Sequence, residues 1–196
     1  MGSAHRLKAL PYATAFALIW ALPGAFCMQS TKSEKTESPN SSPNNANREI
    51  VRLQFMIGIW QASDTYEKNP FAPEGGSGNG IYKTILGPGG FSILTNYRYR
   101  GPQGESSGHQ VLTWDTEQGC YVGYIVTANS PGVIPVNGHW DGPNFILSGH
   151  FKLCGRYVEF KQVFSDIAVE SMTLRQYNSV DGAPPQLFGA TKFTRK

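Results

Sequence analysis

The sequence is poor in the residue combinations from which metal centres and nucleophilic active sites are usually built. Its 196 residues include three cysteines and four histidines, and beyond the N-terminal segment these never stand close together as zinc ligands do. A Cys-x-x-Cys-His sequence, which attaches haem, and a Gly-x-Ser-x-Gly sequence, which carries a serine nucleophile, are both absent. These absences argue against a zinc enzyme, a c-type cytochrome and a serine hydrolase of that type, and no metal or other cofactor is expected.

Concentrated charge is also lacking. Lys and Arg number 17 against 14 Asp and Glu, for a formal net charge of +3, and the basic residues are scattered along the chain. Residues 97–100 read Tyr-Arg-Tyr-Arg, but this alternation is typical of a strand with one buried and one solvated face. Because no basic stripe accompanies it, no nucleic-acid partner is expected.

The N-terminal segment has the features of an export signal. Arg6 and Lys8 precede an apolar run that extends to Cys27 and is short for a membrane span. Residues 1–27 are therefore predicted to direct export to the periplasm or the cell exterior, with cleavage after either Ala25 or Cys27. A lipid anchor at Cys27 is the alternative and would be the protein's one link to a membrane, although the bulky Phe26 disfavours it.

A polar segment separates this signal from the rest of the chain. Residues 28–48 are rich in Ser, Asn and Lys and contain two prolines and almost no large apolar side chain. Such a segment cannot bury enough surface to offset the entropy lost on ordering, so it is predicted to be a disordered linker. The sequence then changes abruptly to Leu-Gln-Phe-Met-Ile-Gly-Ile-Trp at 53–60, and the folded domain is predicted to span 49–196.

Within this domain, apolar and polar residues alternate with period two, and Gly, Pro, Asn and Asp interrupt the pattern at short intervals. No helix-period segment is long enough for a crossover between parallel strands, so the sheet should be antiparallel. About ten short strands joined by hairpins form either a sandwich or an up-and-down barrel, and a barrel leaves no edge strand unpaired. The strands are expected at residues 58–66, 80–86, 91–100, 107–114, 120–129, 133–140, 144–152, 156–165, 168–178 and 186–194.

The start of the domain resembles the entrance of lipocalins and related calycin barrels. A short helical turn within 48–56 leads into the first strand through Gly58-Ile59-Trp60. In those families the glycine lets the chain pass under the barrel, the tryptophan closes its floor, and an arginine from the last strand packs across the indole. The resemblance therefore implies an all-β calycin-like barrel in which Gly58, Trp60 and Arg195 have these structural roles.

The segment from about Leu53 to Arg195 also resembles a bacterial family of exported or cytosolic calycin-like proteins classed as a domain of unknown function. The shared motifs are the Gly-x-Trp start, Gly89-Gly90-Phe91, Trp114-Asp115 and Trp140-Asp141-Gly142. These are structural residues, and the family has no established activity. The resemblance therefore implies a fold and no reaction.

Strand parity indicates which side chains face the barrel interior. If Trp140 pairs with Phe145 across the Asp-Gly-Pro-Asn turn, the apolar residues of these two strands share one face, which must be the inner one. Apolar walls with a few polar groups are typical of a small-molecule cavity, whereas a packed barrel with tyrosines reaching water at the rim is the alternative. The polar cavity candidates are Tyr66, Tyr97, Tyr99, Gln110, Tyr124 and Gln162.

Histidines and carboxylates are further candidate site residues. Nitrobindins, a barrel family whose entrance is similar, hold haem through one histidine, but parity turns His109, His139 and His150 outward, so a haem site is not expected. Ser107 and His109 share a strand face, a common spacing that favours a surface role. Asp64 faces inward, and Glu170 on the inner face near the barrel mouth is the one possible carboxylate partner, at a distance from Asp64 that the sequence does not give.

Three functions follow from this pattern. The first is a binding barrel for an apolar or amphipathic small molecule, the second an isomerase or hydrolase of a lipid-like substrate that uses Asp64, Glu170 or a tyrosine, and the third a filled scaffold. A buried carboxylate without a cationic partner at the cavity wall would favour the enzyme. An open, apolar cavity without such a carboxylate would favour the binding protein, and a filled interior would favour the scaffold.

The meander also predicts that Cys120 and Cys154 do not form a disulfide. Cys120 opens the fifth strand at one barrel end, and three successive strands carry the chain to Cys154 at the other end. A strand of eight residues spans about 26 Å, whereas a disulfide requires Cα atoms within about 7 Å.

Overall fold

The computed structural model describes residues 43–70 and 72–196. The predicted export signal, Cys27 and most of the predicted linker lie outside the described residues. One helix and ten strands follow in chain order, with 3₁₀ turns at Gln54–Met56 and Pro88–Gly90. These elements are α1 (Pro43–Arg52), β1 (Gly58–Tyr66), β2 (Gly76–Leu86), β3 (Ser92–Gly101), β4 (Gly104–Asp115), β5 (Cys120–Thr127), β6 (Ser130–Asp141), β7 (Asn144–Leu153), β8 (Arg156–Ser165), β9 (Ser171–Val180) and β10 (Gln186–Arg195).

The ten strands form a closed antiparallel barrel. Each strand pairs with its neighbours in sequence, and β10 returns to pair with β1, where Trp60 lies opposite Arg195 and Asp64 opposite Thr191. Closure confirms the predicted up-and-down barrel and excludes the sandwich. It also pairs every strand on both sides, so the sheet has no edge open to other chains.

The hairpin between β6 and β7 has the register that the sequence predicts. Trp140 pairs with Phe145 and His139 with Ile146, and Gly142 has φ = 55° in the turn, a conformation that glycine adopts without a steric penalty. The register directs Val136, Phe145 and Leu147 into the barrel, where each is at most 1% exposed.

Helix α1 packs under one end of the barrel and closes it. Ile50 in its last turn and Leu53 directly after the helix are 1% and 0% exposed, while Tyr121 on β5 donates a hydrogen bond to Glu49. The helix begins at Pro43, so residues 43–48 are helical rather than part of the predicted disordered linker. Within the described residues, no helix has the length and apolar character needed to cross a membrane.

The main hydrophobic core lies in the half of the barrel next to α1. Phe55 packs with its ring edge-on against Trp140, Phe145 and Phe164 at centroid distances of 5.6, 6.1 and 6.1 Å. Burying a side chain of this size stabilises the fold by about 1.5 to 3 kcal/mol. The apolar side chains thus fill the closed half, and the polar candidates of the sequence lie nearer the open half.

The two cysteines of the barrel lie at opposite ends. Cys120 begins β5 next to the closed end and is 1% exposed, whereas Cys154 is exposed in the turn between β7 and β8 at the open end. No disulfide joins them, in agreement with the meander.

Candidate functional site

The barrel encloses a cavity of about 220 Å³. Met56 and Trp60 form its floor, and Phe188, Phe193 and Leu174 belong to its apolar wall. A second chamber of about 170 Å³ lies toward the open end and shares Tyr97, Tyr99, Ile125, Gln162, Gln176 and Phe188 with the first. The interior is therefore filled at the closed end and hollow above it.

The floor of the cavity is held by Trp60 and Arg195. Trp60 is 1% exposed, and its indole Nε1 donates to the Met56 carbonyl at 3.0 Å. The Arg195 guanidinium lies 4.3 Å from the indole ring centroid and donates to the carbonyls of Ile57 at 3.0 Å and Val169 at 2.7 Å. One arginine thus ties β1, the preceding 3₁₀ turn and the loop before β9 together beneath the cavity.

Gly58 is required for this arrangement. Its φ of 130° is rarely adopted by residues with a side chain, and a Cβ atom there would collide with the Arg195 guanidinium. The contact explains why glycine stands two residues before the floor tryptophan. The structural roles that the calycin resemblance implies for Gly58, Trp60 and Arg195 are all found.

Asp64 is the one charged side chain among the described residues that line the two chambers. It is 7% exposed, Thr191 donates a hydrogen bond to its Oδ1 at 2.6 Å, and Tyr66 is a second hydrogen-bond partner. Burial raises the pKa of Asp64, while these two hydrogen bonds oppose the rise. The site therefore contains a carboxylate that neutral hydroxyl groups stabilise only in part.

Tyrosines form one wall above the floor. Tyr82 stacks on Tyr97 at 5.2 Å between ring centroids, and Tyr97 stacks on Tyr99 at 6.2 Å. Burial raises the pKa of Tyr66, Tyr82 and Tyr97, and the Asp64 carboxylate raises it further at Tyr66 and Tyr82. These phenols remain protonated at neutral pH, so the wall offers aromatic carbon atoms and neutral hydroxyl groups.

Glycines make room for these rings. A Cβ atom at Gly108 would collide with the Tyr97 phenol and would lie 2.6 Å from the Val126 carbonyl oxygen, and one at Gly80 would lie 2.8 Å from Tyr99 Cβ. Contacts this short do not occur at real Cβ atoms, so the cavity wall depends on small residues opposite large ones.

Side-chain amides supply the remaining polar groups. Gln162 donates to Gln176 and Gln176 donates to Asn178, each at 3.0 Å, which orders a chain of amides toward the mouth. Gln110 is 9% exposed, and its Nε2 is buried without a hydrogen-bond partner. Since buried donors are almost always paired, this amide is the group in the cavity wall that most clearly lacks an acceptor.

The structure brings five of the six predicted cavity residues together. Tyr66, Tyr97, Tyr99, Gln110 and Gln162 all line the main chamber. Their part in binding a ligand remains a prediction.

Tyr124 is the exception and lies on the outside of the barrel. It is 39% exposed, whereas Tyr121 is 1% exposed and Ile125 lines the cavity. Strand β5 carries aromatic or aliphatic residues on both faces, so its alternation alone does not reveal the inner face. Pairing of Tyr121 with Trp114 on β4 and with Gly138 on β6 sets the parity instead, and it corrects the expected inward position of Tyr124.

Sequence reasoning missed Tyr82, Gln176 and Thr191, all of which line the cavity. Tyr82 alternates with Gly80 and Thr84, but the outward positions of the same strand include Ile81 and Ile85, which are 43% and 47% exposed. Because apolar residues also occupy the solvent face of β2, its alternation did not show which face is the inner one. The pairing of Tyr82 with Trp60 across β1 and β2 would have revealed its direction.

Glu170 does not pair with Asp64. It lies in the loop before β9 at the closed end, is 70% exposed, and is 3.8 Å from Arg195. The inner-face position near the mouth that the sequence offered for Glu170 is therefore wrong, because the loop before β9 and the inner face of β1 lie on different sides of the floor.

The histidines lie where parity places them. His139 and His150 are exposed, and His109 contacts Asn96 at 2.9 Å on the outer face of β3 and β4. In the part of the chain that the structure describes, no cluster of three or more His, Cys, Asp or Glu could hold a metal ion.

Solved structures with similar folds share little sequence with this chain. Rv2717c from M. tuberculosis aligns with a TM-score of 0.55 and 12% identity over 75% of this chain and 96% of that one. The fold is a calycin-like barrel. The S-type phycobiliprotein lyase CPES from Guillardia theta gives a TM-score of 0.48 and 13% identity over 78% and 96% of the two chains. A protein designated EF1p2_mFAP2b, solved bound to DFHBI, aligns with a TM-score of 0.40 and 11% identity over 74% of this chain and 96% of that one.

These likenesses concern the fold alone. No protein-family model matches the chain, and no curated protein is detectably similar to it in sequence. The resemblance to the bacterial family of unknown function therefore stays a prediction.

Proposed function

We propose that this chain is an exported binding protein whose barrel cavity holds a small amphipathic molecule. The observation that carries the proposal is the cavity of about 220 Å³ above the Trp60 floor. Its apolar wall and few converging polar groups are the usual composition of a small-molecule site. The hollow open half also favours binding over a filled scaffold.

The size of the cavity limits the ligand. Sites for drug-sized molecules measure about 300 to 1,000 Å³, so the main chamber suits a smaller molecule. A longer one would extend past Tyr99 into the mouth chamber of about 170 Å³. An apolar body between the walls of the main chamber fits this lining, with polar groups of the ligand at Asp64 and Gln110 or, for a longer molecule, at the amide chain near the mouth.

Native mass spectrometry of the protein purified from its own host tests this proposal. The wild type is expected to retain a ligand, and Leu174→Trp, which adds an indole to the main chamber, should lose it. Arg175→Trp is the matched control, because residue 175 is exposed on the same strand. Retention of the ligand by Leu174→Trp would place the site elsewhere, and an empty wild type that binds no apolar dye would favour the scaffold.

Export belongs to the same proposal and rests on residues 1–27. N-terminal sequencing of the mature protein should find the chain beginning after Ala25 or Cys27. A mature chain that begins at Cys27 and carries acyl chains would establish the lipid anchor instead, and a chain that begins at Met1 would overturn export.

A second candidate function, proton transfer on a bound substrate, is favoured by Asp64. A buried carboxylate with no cationic partner among the described lining residues is the feature that distinguishes an enzyme from a simple binding barrel. Asp64 could remove a proton from carbon, and Gln110 Nε2, which lacks a partner, could donate a hydrogen bond to the oxygen that gains charge. The candidate ranks second because the tyrosines stay protonated, which leaves Asp64 as the one described lining group that can act as a base at neutral pH.

Isomerisation of small β,γ-unsaturated ketones to conjugated enones measures this activity by ultraviolet absorbance. The proton leaves the α-carbon and is returned to the γ-carbon, so no other reactant is consumed. An enzyme should show turnover that Asp64→Asn abolishes and that the control Asp141→Asn, on the exposed surface, retains. Equal rates in wild type and Asp64→Asn would exclude Asp64 as the base.

A further inference from the structure

Asp64 has an unusual electrostatic environment for a buried carboxylate. It is 7% exposed, and its partners are the neutral hydroxyl groups of Thr191 and Tyr66. Buried charges are normally paired with an opposite charge, and no described residue of the cavity lining is cationic. Lys192, which follows Thr191 in the chain, is exposed on the outer face of β10 and does not supply one.

The groups around Asp64 favour a cation rather than a neutral donor. The stacked rings of Tyr82, Tyr97 and Tyr99 form a continuous aromatic wall in the same cavity. A protonated amine can donate hydrogen bonds to the neutral phenol oxygens of this wall as well as to the Asp64 carboxylate. An anionic ligand would be repelled by Asp64.

Gln110 adds an independent requirement. Its side chain lines the same cavity, and its buried Nε2 has no acceptor within the protein. Leaving such a donor unpaired is unfavourable, because its hydrogen bond to water is lost on burial and not replaced. A ligand acceptor at this point would remove the penalty.

We propose that the cavity selects a small arylalkylamine, with the protonated amine against Asp64, the aromatic ring along the tyrosine wall and an acceptor on the ring facing Gln110. This inference rests on the proposed binding function and adds the chemical class of the ligand. In this complex the ligand supplies the cation that Asp64 lacks among the described lining residues of the cavity.

Isothermal titration at neutral pH with three indoles that differ only at the end of the side chain tests the charge preference. Tryptamine is cationic, tryptophol neutral and indole-3-acetate anionic. Tryptamine is expected to bind at least about tenfold more tightly than tryptophol, and indole-3-acetate most weakly. In Asp64→Asn the affinity for tryptamine should fall about tenfold or more and that for tryptophol less than about threefold, whereas Asp141→Asn should change neither.

The Gln110 contact is tested with 5-methoxytryptamine, which adds an acceptor to the ring. Gln110→Leu should weaken this ligand by about fivefold or more while changing tryptamine by less than about twofold. Equal losses for both amines would show that Gln110 shapes the cavity without donating to the ligand, which overturns that contact.

Failure of the inference is distinguishable from failure of the binding function. If the neutral dye N-phenyl-1-naphthylamine and tryptophol bind as tightly as tryptamine, or if Asp64→Asn keeps the preference for the amine, the amine class is wrong and a binding cavity remains. If neither the dye nor any of the indoles binds, the proposed function fails and the inference with it. Thermal melts of each variant establish that it is folded before it is titrated.

Discussion

Single residues at the base of the cavity combine several roles. Trp60 fills the floor, and its indole donates a hydrogen bond to the Met56 carbonyl. The Arg195 guanidinium lies over the indole ring and donates hydrogen bonds to two backbone carbonyls. Asp64, two inward positions further along β1, has the opposite character, because it is buried at an energetic disadvantage. The same strand thus carries a residue that stabilises the barrel and one whose unfavourable burial the proposed ligand would offset.

Trp60→Ala should destabilise the protein by about 3 to 5 kcal/mol, because it removes a fully buried indole and leaves a void at the floor. Arg195→Ala should destabilise it by about 2 kcal/mol through loss of the cation–π contact and two hydrogen bonds. Urea unfolding of both single variants and the double variant measures the coupling between them. Strictly additive effects would contradict a direct Trp60–Arg195 interaction.

Asp64→Asn should stabilise the folded protein at neutral pH. Burial raises the pKa of Asp64 above its ordinary 3.8, so the folded state holds the proton more tightly than the unfolded chain. The stability due to this proton is fully present below the unfolded pKa and is lost as the pH rises through the folded pKa. The variant's advantage in Tm should therefore shrink toward zero near about pH 3.

Thermal melts of wild type and Asp64→Asn across this pH range provide the measurement, with Asp141→Asn as the exposed control. A variant that melts below wild type at neutral pH would mean that the hydrogen bonds from Thr191 and Tyr66 to the carboxylate outweigh its desolvation.

Among the elements, α1 and β5 depart most from the sequence-based expectation. Pro43 occupies the first position of α1, where a proline lacks no needed hydrogen bond, and Ile50 and Leu53 anchor the helix to the barrel. Residues 43–48 are helical as a backward extension of this anchored end. In β5, apolar side chains on both faces conceal the inner one.

Deletion of residues 29–42 should leave Tm within about 1 °C of the wild type, whereas deletion of 29–52 should lower it by about 4 °C or more. The longer deletion removes Ile50 and the hydrogen bond between Glu49 and Tyr121, and so uncovers the closed end. Differential scanning calorimetry of the two mature variants makes the comparison. A large loss on the shorter deletion would show that the segment before Pro43 supports the fold.

At the scale of the whole molecule, closure between β1 and β10 defines both the floor and the cavity. It places Arg195 opposite Trp60 and Thr191 opposite Asp64, although these residues are separated by most of the domain in sequence. A closed meander also fixes which end of the barrel each turn occupies. The cysteines are an independent check on that assignment.

Cys120 and Cys154 should remain unlinked even in protein isolated from an oxidising compartment. Peptide mapping without reduction should find no peptide that joins them. In the native protein, iodoacetamide should modify the exposed Cys154 and reach the buried Cys120 only after denaturation. A linked pair would contradict the meander, because it requires Cα atoms within about 7 Å.

The sequence alone determined the fold class, the antiparallel meander, the position of nearly every strand and the inward direction of Tyr66, Tyr97, Tyr99, Gln110 and Gln162. Period-two alternation and turn residues are local features, so they can be recognised in a single sequence. The strand pattern by itself left a sandwich possible beside the barrel that the resemblance implied, and the tertiary structure decided for the barrel. It alone decided that Tyr124 faces solvent. It also decided that Glu170 lies far from Asp64, and that the open half is hollow. These features depend on pairing between distant strands and on how side chains fill the enclosed volume, which no local pattern records.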